Sequence, residues 1–230
     1  MSLIYPVIHH INERTTLSEV ELACVNGADG VFLISHRGED AQVLEVAKLA
    51  KHALPGFKIG INLLTESPVF SCHAAAANGL DMVWADDVGV TSRGYNDMAR
   101  SLSRFANTVT SVQLFGSVAF KYQDAEPKPK IAAQLALGLG FIPTTSGNAT
   151  GSPPSVSKIT SMSHATHGVL AVASGITPHN VGLFAPYLSH ILVSTGISRD
   201  EHHINPVLLK ALINHARLND CHNAHLRREA

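Results

Sequence analysis

Two glycine turns near the C-terminus, Ser174-Gly175-Ile176-Thr177 and Ser194-Thr195-Gly196-Ile197-Ser198, carry most of the information about the fold of this chain. The first turn ends the apolar run in VLAVASGITPHN, residues 169–180, which has the order strand, turn and helix start. The second turn ends the run in ILVSTGIS, residues 191–198, and repeats that order. Strands that alternate with helices indicate a parallel sheet.

The same alternation runs through the whole chain. Eight apolar runs that end in polar or glycine residues are predicted as strands: Ile4–His9, Gly30–Ser35, Lys58–Asn62, Asp81–Asp86, Ser111–Lys121, Gly140–Ser146, Val169–Ser174 and Ser189–Thr195. Helical spacing of apolar residues is found in Leu17–Gly27, Asp40–Ala53, Ser67–Gly79, Tyr95–Ala106, Lys128–Leu139, Ser155–His164, Pro178–Pro186 and Pro206–Leu218. Strict alternation implies parallel pairing with right-handed crossovers.

Eight strand–helix units predict a single-domain α/β protein. We expect a (β/α)8 TIM barrel over residues 1–218, followed by a polar tail at 219–230. The strands are continuous apolar runs, as expected when both faces of the sheet are covered. An open, doubly wound sheet is the alternative, but eight units and two late glycine turns favour the closed barrel.

The composition fits one soluble domain and argues against several classes of function. The chain has 230 residues, of which 45% are hydrophobic, and a formal net charge of −1, which gives no reason to expect a nucleic-acid partner. No run approaches the roughly 18 apolar residues of a membrane span, and the N-terminus lacks the basic region of a signal peptide. Cys24, Cys72 and Cys221 lack metal-ligand spacing, so we expect reduced thiols in a cytoplasmic protein.

The two late turns also predict a ligand. In a TIM barrel the loops after the seventh and eighth strands form the usual phosphate site. Glycine lets backbone N–H groups approach the anion, and a following helix N-terminus adds positive potential. The residues of these turns that we predict to bind phosphate are Ser174, Gly175, Ser194, Thr195 and Gly196.

The loop after the sixth strand, TTSGNATG at 144–151, has two glycines among small hydroxylated residues. Such a loop offers many hydrogen-bond donors, and it can close over a polar ligand and exclude water. A plain solvent-exposed turn is the simpler alternative, but it needs fewer residues of this kind.

Ionisable side chains at the C-terminal ends of the strands are candidates for catalysis. Lys121 closes the run FGSVAFK, and a lysine facing the barrel mouth can act as a base, form an imine or clamp an anion. Asp86 and Asp87 end the run WADD, and one of them should face the mouth and the other a loop. An ion pair with Lys121 would lower the pKa of the carboxylate. The alternatives are a lysine that points outward and an aspartate that caps a helix or orders a loop.

The 14 histidines raise the question of a metal. His9, Asp86 and His36 are the set that could converge at the mouth. No histidine is joined to an acidic or cysteine ligand in a recognised motif, and we therefore predict neither a metal nor a cofactor.

Six segments, in order and spacing, resemble the BtpA family. They are KIGINLLTESPVFSCHAAAANGLDMVWADD (58–87), VAFKYQ (118–123), TTSGNATGSPPSVSKI (144–159), VLAVASGITPHNV (169–181), ILVSTGIS (191–198) and INPVLLKALI (204–213), and the resemblance covers Pro6 to Ala216. The family takes its name from a role in photosystem I biogenesis and is similar to ribulose-phosphate-binding barrels. The resemblance implies a site that includes Asn62, Lys121, Ser146, Gly147, Thr150, Gly151, Ser174, Gly175 and Gly196.

These features together predict an enzyme that acts on a small phosphorylated sugar or ribosyl compound. The reaction would be of isomerase or lyase type, by acid–base chemistry or by making or breaking a carbon–carbon or carbon–nitrogen bond. The predicted catalytic residues are Lys121, Asp86, Asp87, Asn62 and His9. The alternative is a non-enzymatic assembly or stabilisation factor with a vestigial pocket, but the presence of both Lys121 and Asp86 favours an enzyme.

Two predicted helices also suggest self-association. The stretches HAAAANGL (73–80) and AAQLALGL (132–139) are rich in alanine and leucine on more than one side. We therefore expect a homo-oligomer, although tight packing of alanine against the barrel would explain the same pattern.

Overall fold

The computed structural model of the chain describes the backbone of residues 1–200 and 202–226 and the side chains as far as residue 218. Eight parallel strands close into a barrel in the order β1-β8-β7-β6-β5-β4-β3-β2. The strands are β1 (Leu3–His9), β2 (Gly30–Ile34), β3 (Lys58–Asn62), β4 (Met82–Ala85), β5 (Gln113–Ser117), β6 (Ile142–Thr145), β7 (Ala171–Ala173) and β8 (His190–Val193). Because β1 pairs in parallel with β8, with Ile4 opposite Ile191, the predicted closed barrel is confirmed and the open sheet is excluded.

The helices alternate with the strands. They are α1 (Glu13–Val25), α2 (Asp40–Ala53), α3 (Pro68–Ala77), α4 (Asp97–Thr108), α5 (Pro129–Gly138), α6 (Val156–Ala165), α7 (Val181–Phe184) and α8 (Pro206–Leu226). The side chains of Asn12, Ser67, Asn96 and Ser155 each accept a backbone N–H at a helix start. Such caps satisfy donors that have no partner inside the helix, and they explain why these helices begin where they do.

The predicted fifth strand, Ser111–Lys121, is too long. β5 ends at Ser117, and Lys121 lies in a turn beyond the strand rather than at its end. Ala119 and Tyr122 have φ angles of 49° and 69°. These left-handed conformations are incompatible with a strand, so the chain leaves the sheet before Lys121.

The predicted helix over Pro178–Pro186 is also too long. α7 covers only Val181–Phe184, and a single 3-10 turn, Ala185–Tyr187, follows it. The residues before α7 form a turn in which the side chain of Asn180 accepts the N–H of Thr177 and donates to the carbonyl of Gly175. A side chain therefore orders this segment where we expected the first turn of a helix.

The core has two layers. One layer fills the space between the barrel and the helices, and the other fills the barrel itself. Inside the barrel the rings of Tyr5, Phe32 and Phe115 meet edge to face, with centroids 5.1 Å apart for Phe32 and Phe115. Aromatic pairs prefer this arrangement, so the interior is a packed core beneath the mouth.

Two sequence predictions concern the ends and surface of the chain. The polar tail predicted at 219–230 lies outside the residues whose side chains are described, although the backbone of α8 continues to Leu226. No helix in the described part of the chain is long and apolar enough to cross a membrane.

One polar side chain, His190, is buried in the barrel interior. Its ring stacks on Tyr5 with centroids 5.8 Å apart, and its Nδ1 lies 2.7 Å from the Oγ of Ser189. Burial lowers the pKa of His190 from 6.5 to about 4, because an apolar core disfavours the imidazolium. The core is therefore built around a neutral imidazole.

We expect His190 to make the barrel less stable in acid. The unfolded chain takes up a proton on this ring near pH 6.5, whereas the folded protein resists it down to about 4, so stability falls as the pH drops through this window. The loss should be of the order of 3 kcal/mol, because each pKa unit corresponds to about 1.4 kcal/mol. Urea denaturation at several pH values checks this.

The matched variant is His190→Phe, whose ring fills a similar volume and cannot titrate. Between about pH 6.5 and 4 it should lose less stability than the wild-type protein. The same loss of stability in both proteins would show that His190 is not the titrating group.

Candidate functional site

A cavity of about 710 Å³ opens at the end of the barrel where the strands have their C-termini. Active sites of TIM barrels lie at this end. The cavity is bordered by ten of the residues predicted for the site: His9, Asp86, Lys121, Thr150, Gly151, Ser174, Gly175, Ser194, Thr195 and Gly196. The closed barrel therefore gathers into one place residues that are far apart in the sequence.

Asn62 and Asp87 do not border this cavity. Both lie at a smaller neighbouring cavity of about 290 Å³. The buried amide of Asn62 donates from Nδ2 to Oδ1 of Asp86 at 3.1 Å. Asp87 accepts the backbone N–H of Gly89 at 2.8 Å and so orders the loop after β4. Of the two aspartates, Asp86 faces the main cavity and Asp87 belongs to the loop.

Ser146 and Gly147 also lie outside the cavity lining, behind the loops that form it. The Oγ of Ser146 accepts the backbone N–H of Lys121 at 2.7 Å and donates to the carbonyl of Gly147 at 2.8 Å. A side chain at position 147 would clash with the backbone of Ser152 and Pro153. Ser146 therefore holds the loops after β5 and β6 together, and Gly147 lets the loop after β6 fold closely on itself.

The two late turns present backbone donors to the cavity. Within the described residues, the N–H groups of Gly175, Ile176, Thr195 and Gly196 donate no hydrogen bond, and all four residues border the cavity. Neither turn leads directly into a long helix, since α7 has only four residues and a three-residue 3-10 turn, Thr195–Ile197, separates β8 from α8. An anion here would rely on individual N–H groups rather than on long helix dipoles.

The glycines of these turns also allow the loops to pack closely. Gly175 has a φ of 70°, and a side chain there would clash with the backbone at Ser152 and Pro153. A side chain at Gly196 would clash with the carbonyl of Ile176. Substitution of either glycine would therefore distort the loops, so a loss of binding in such a variant would not by itself identify an anion site.

The pKa of Asp86 differs in direction from the sequence prediction. Its carboxylate is open to the cavity, yet the surrounding protein displaces enough water to raise its pKa above 3.8. The hydrogen bond from Asn62 and the electrostatic interactions with Lys121 and His36 act in the opposite direction and are outweighed. The expectation that an ion pair would lower the pKa of Asp86 was wrong, because desolvation is the larger effect.

Lys121 explains why that ion pair is missing. Among the ion pairs of the described residues, none joins Lys121 to Asp86. The Nζ of Lys121 instead donates to Oγ1 of Thr150 at 3.2 Å and lies 5.7 and 5.6 Å from the ring centroids of Phe120 and Tyr122. The ammonium group is at the cavity, but the turn that carries it directs it toward the loop after β6.

Two histidines stand side by side at another part of the mouth. The rings of His9 and His36 have centroids 5.1 Å apart and are tilted by 32°. As far as the described residues show, no three His, Cys, Asp or Glu side chains are arranged to hold a metal ion, so His9, His36 and Asp86 do not form the set that the sequence suggested. Arg199 also borders the cavity, and its Nε lies 3.6 Å from Oδ2 of Asp200.

Lys158 is a residue of this region that the sequence analysis missed. It lies in the first turn of α6, and its Nζ donates to the carbonyls of Ala119 at 2.7 Å and Ser146 at 2.8 Å. Burial lowers the pKa of Lys158 from 10.5 to about 8. A lysine in the first turn of a helix is usually exposed, so the sequence carries no signal for this role. The two bonds connect the loops after β5 and β6 beneath Lys121.

Comparison with known proteins supports the fold. No family model and no curated protein matches this chain. A cube-shaped, highly porous protein cage designed by fusing symmetric oligomeric domains matches with a TM-score of 0.71 at 14% identity, over 99% of this chain and 77% of that chain. The native KDPGal structure matches with a TM-score of 0.68 at 14% identity, over 94% and 95%. Phosphoribosyl anthranilate isomerase from Thermotoga maritima matches with a TM-score of 0.66 at 16% identity, over 94% and 99%. At such low identities, these TM-scores show a shared fold and nothing more.

We expect Lys158 to contribute a rise in stability with increasing pH. The folded protein releases this proton near pH 8, whereas the unfolded chain keeps it up to its ordinary pKa of 10.5, so the folded state binds fewer protons between these values. Urea denaturation between about pH 7 and pH 10 should show this contribution in the wild-type protein and not in Lys158→Met. The exposed Lys130, changed to Met, is the control that should keep it. An identical pH dependence in wild type and Lys158→Met would contradict the assignment.

Proposed function

We propose that this protein is an enzyme that binds a small phosphorylated sugar or ribosyl compound and transfers a proton on it, or makes or breaks a carbon–carbon or carbon–nitrogen bond. The observation that supports the proposal is the set of groups that line one cavity. It combines a group of backbone N–H donors without partners with a carboxyl group whose pKa is raised. Perturbed carboxyl groups in clefts are typical of active sites.

The phosphate would lie at the turns after β7 and β8. Gly175, Ile176, Thr195 and Gly196 supply four N–H groups, and hydrogen bonds to a charged group contribute about 1.5–3 kcal/mol each. Ser174 and Ser194 border the same cavity. The loop after β6 would close this end, since Oγ of Ser174 donates to the carbonyl of Ala149 at 3.1 Å.

Asp86 would be the general acid–base group. A carboxyl group is most effective in proton transfer when its pKa approaches the working pH, and partial desolvation moves the pKa of Asp86 in that direction. Asn62 would orient the carboxyl group through its hydrogen bond to Oδ1, as a positioning residue. We propose no catalytic role for Asp87, which orders the adjacent loop.

Lys121 would be an electrostatic clamp. Its ammonium group borders the cavity and could stabilise negative charge that develops on a carbonyl or hydroxyl oxygen of the substrate. An imine between Lys121 and a carbonyl substrate is the alternative mechanism. His9, beside His36, would hydrogen-bond the ligand from the opposite part of the mouth.

Both lines of comparison support a phosphorylated ligand. Phosphoribosyl anthranilate isomerase is named for a phosphoribosyl compound, and its barrel matches this one over most of both chains. The segments that resemble the BtpA family carry the turns after β6, β7 and β8, and we propose that the chain belongs to that family. We also propose a cytoplasmic homo-oligomer, on the basis of the thiols and of the alanine- and leucine-rich sequences of α3 and α5. In the structure Ala132, Ala133 and Ala136 of α5 are buried in the core, as the alternative of packing against the barrel predicts.

The phosphate site predicts a specific pattern of amide shifts. On addition of inorganic phosphate, the backbone amide resonances of Gly175, Ile176, Thr195 and Gly196 should move in a 1H–15N spectrum, because these N–H groups would gain a charged acceptor. The amides of Gly56 and Gly138, which are remote from the cavity, are the internal control. Shifts confined to other residues, or no shifts at millimolar phosphate, would contradict this site.

The acid–base role predicts a difference between the two neighbouring aspartates. A panel of phosphorylated ketoses and ribosyl compounds in D2O should include one whose carbon-bound hydrogen exchanges with solvent in the presence of the protein. Asp86→Asn should slow this exchange by at least about 100-fold, whereas Asp87→Asn should retain most of it. Equal exchange in wild type and Asp86→Asn would exclude Asp86. Phosphate binding without exchange of any panel member would favour a non-enzymatic role.

A further inference from the structure

Tyr122 has an unusual combination of exposure and backbone conformation. Its side chain is 81% exposed, although it lies at the cavity. Its φ of 69° is in the left-handed region, which is costly for a bulky residue that is not glycine. Neither burial nor packing explains why a tyrosine occupies this position, and residues held in such conformations are concentrated at functional sites.

The ring of Tyr122 is held in place from two directions. Its hydroxyl group lies 2.9 Å from Oγ1 of Thr150 in the loop after β6, and the Nζ of Lys121 lies over its face, 5.6 Å from the centroid. Thr150 accepts a hydrogen bond from the same Nζ, so the three side chains form one connected group. These contacts orient an aromatic ring at the mouth of the cavity.

The position of this ring relative to the phosphate turns defines a ligand with two ends. Tyr122 follows β5, which is separated from β7 by β6, whereas the turns with the N–H donors follow β7 and β8. Trp84 and Phe120, whose rings meet edge to face at 6.0 Å, also border the cavity. The volume of about 710 Å³ is in the range that proteins use for drug-sized ligands, and a phosphate group fills only one end of it.

We propose that the natural ligand is a phosphate monoester that carries a planar unsaturated ring, and that Tyr122 is the residue that selects this ring by stacking. The proposal rests on the phosphate site described under the proposed function. Tyr122 meets the Lys121 ammonium group with one face, and its exposure leaves the ring accessible to a planar group. An aromatic ring held rigidly in this way binds a planar partner at low cost in conformational entropy.

Calorimetry with phenyl phosphate, ethyl phosphate, ribose 5-phosphate and inorganic phosphate tests the proposal. Phenyl phosphate should bind the wild-type protein about five- to tenfold more tightly than ethyl phosphate, as expected for one aromatic pair. Tyr122→Asn should remove this difference, because asparagine tolerates the left-handed conformation but has no ring. Tyr122→Phe should keep it, because the ring remains and only the hydrogen bond to Thr150 is lost. Phe70→Asn, at a half-exposed ring of α3 outside the cavity lining, should also keep it.

The other outcomes distinguish a failure of the proposed ring-binding role of Tyr122 from a failure of the phosphate site. Equal affinity for phenyl and ethyl phosphate would contradict a ligand with a planar ring but would leave the phosphate site supported. A preference for phenyl phosphate that survives in Tyr122→Asn would overturn the role of Tyr122. Tightest binding of ribose 5-phosphate, lost in Tyr122→Asn, would replace the planar ring by a sugar and so overturn the proposal. If none of the four compounds bound, the proposed phosphate site would fail, and this inference would fail with it.

Discussion

The parallel pairing of β1 with β8 is the constraint on which the rest of the structure depends. Without it, the eight strands would form an open sheet with two edges, and the polar side chains at their C-terminal ends would be spread along a line. Closure turns that line into a ring. It brings Asp86 after β4 and the turns after β7 and β8 to the border of one cavity, although more than eighty residues of chain separate them. The aromatic core beneath the mouth closes the other side of this cavity.

The loops at the mouth are held by contacts with one another rather than by regular structure. Lys158 connects the carbonyls of Ala119 and Ser146, and the Oγ of Ser146 accepts the N–H of Lys121. Gly175 lets the loops after β6 and β7 approach each other closely at Ser152 and Pro153, and Gly147 lets the loop after β6 fold closely on itself. Glycine at these positions therefore has two explanations. Close approach of two backbone segments requires the absence of a side chain, and so does access of an anion to the backbone N–H groups. The loops can therefore be ordered before a ligand binds, and the cost of ordering them does not reduce its affinity.

Desolvation, more than ion pairing, sets the pKa values of Asp86, Lys158 and His190. It raises the pKa of Asp86 against the opposing effects of Asn62, Lys121 and His36, and it lowers the pKa of Lys158 and His190. In a barrel, groups on the inner wall lose water to the surrounding strands whether or not a partner charge is near. Asp81 shows the contrast: outside the barrel mouth it lies 2.7 Å from the Nζ of Lys51 and 3.1 Å from that of Lys58, and its pKa is lowered.

The sequence by itself determined the class of fold, and ten of the fourteen site residues predicted from it border the cavity. Periodic apolar runs, helix caps and glycine turns depend on neighbours within a few positions, so the eight units and the turns at Gly175 and Gly196 could be recognised in the printed chain. The true end of β5, the position of Lys121 in a turn and the direction of the pKa of Asp86 could not, because they depend on left-handed residues and on water displaced by distant segments. The roles of Lys158 and Tyr122 were likewise decided only in the tertiary structure, where side chains on different loops come within hydrogen-bonding distance once the barrel has closed.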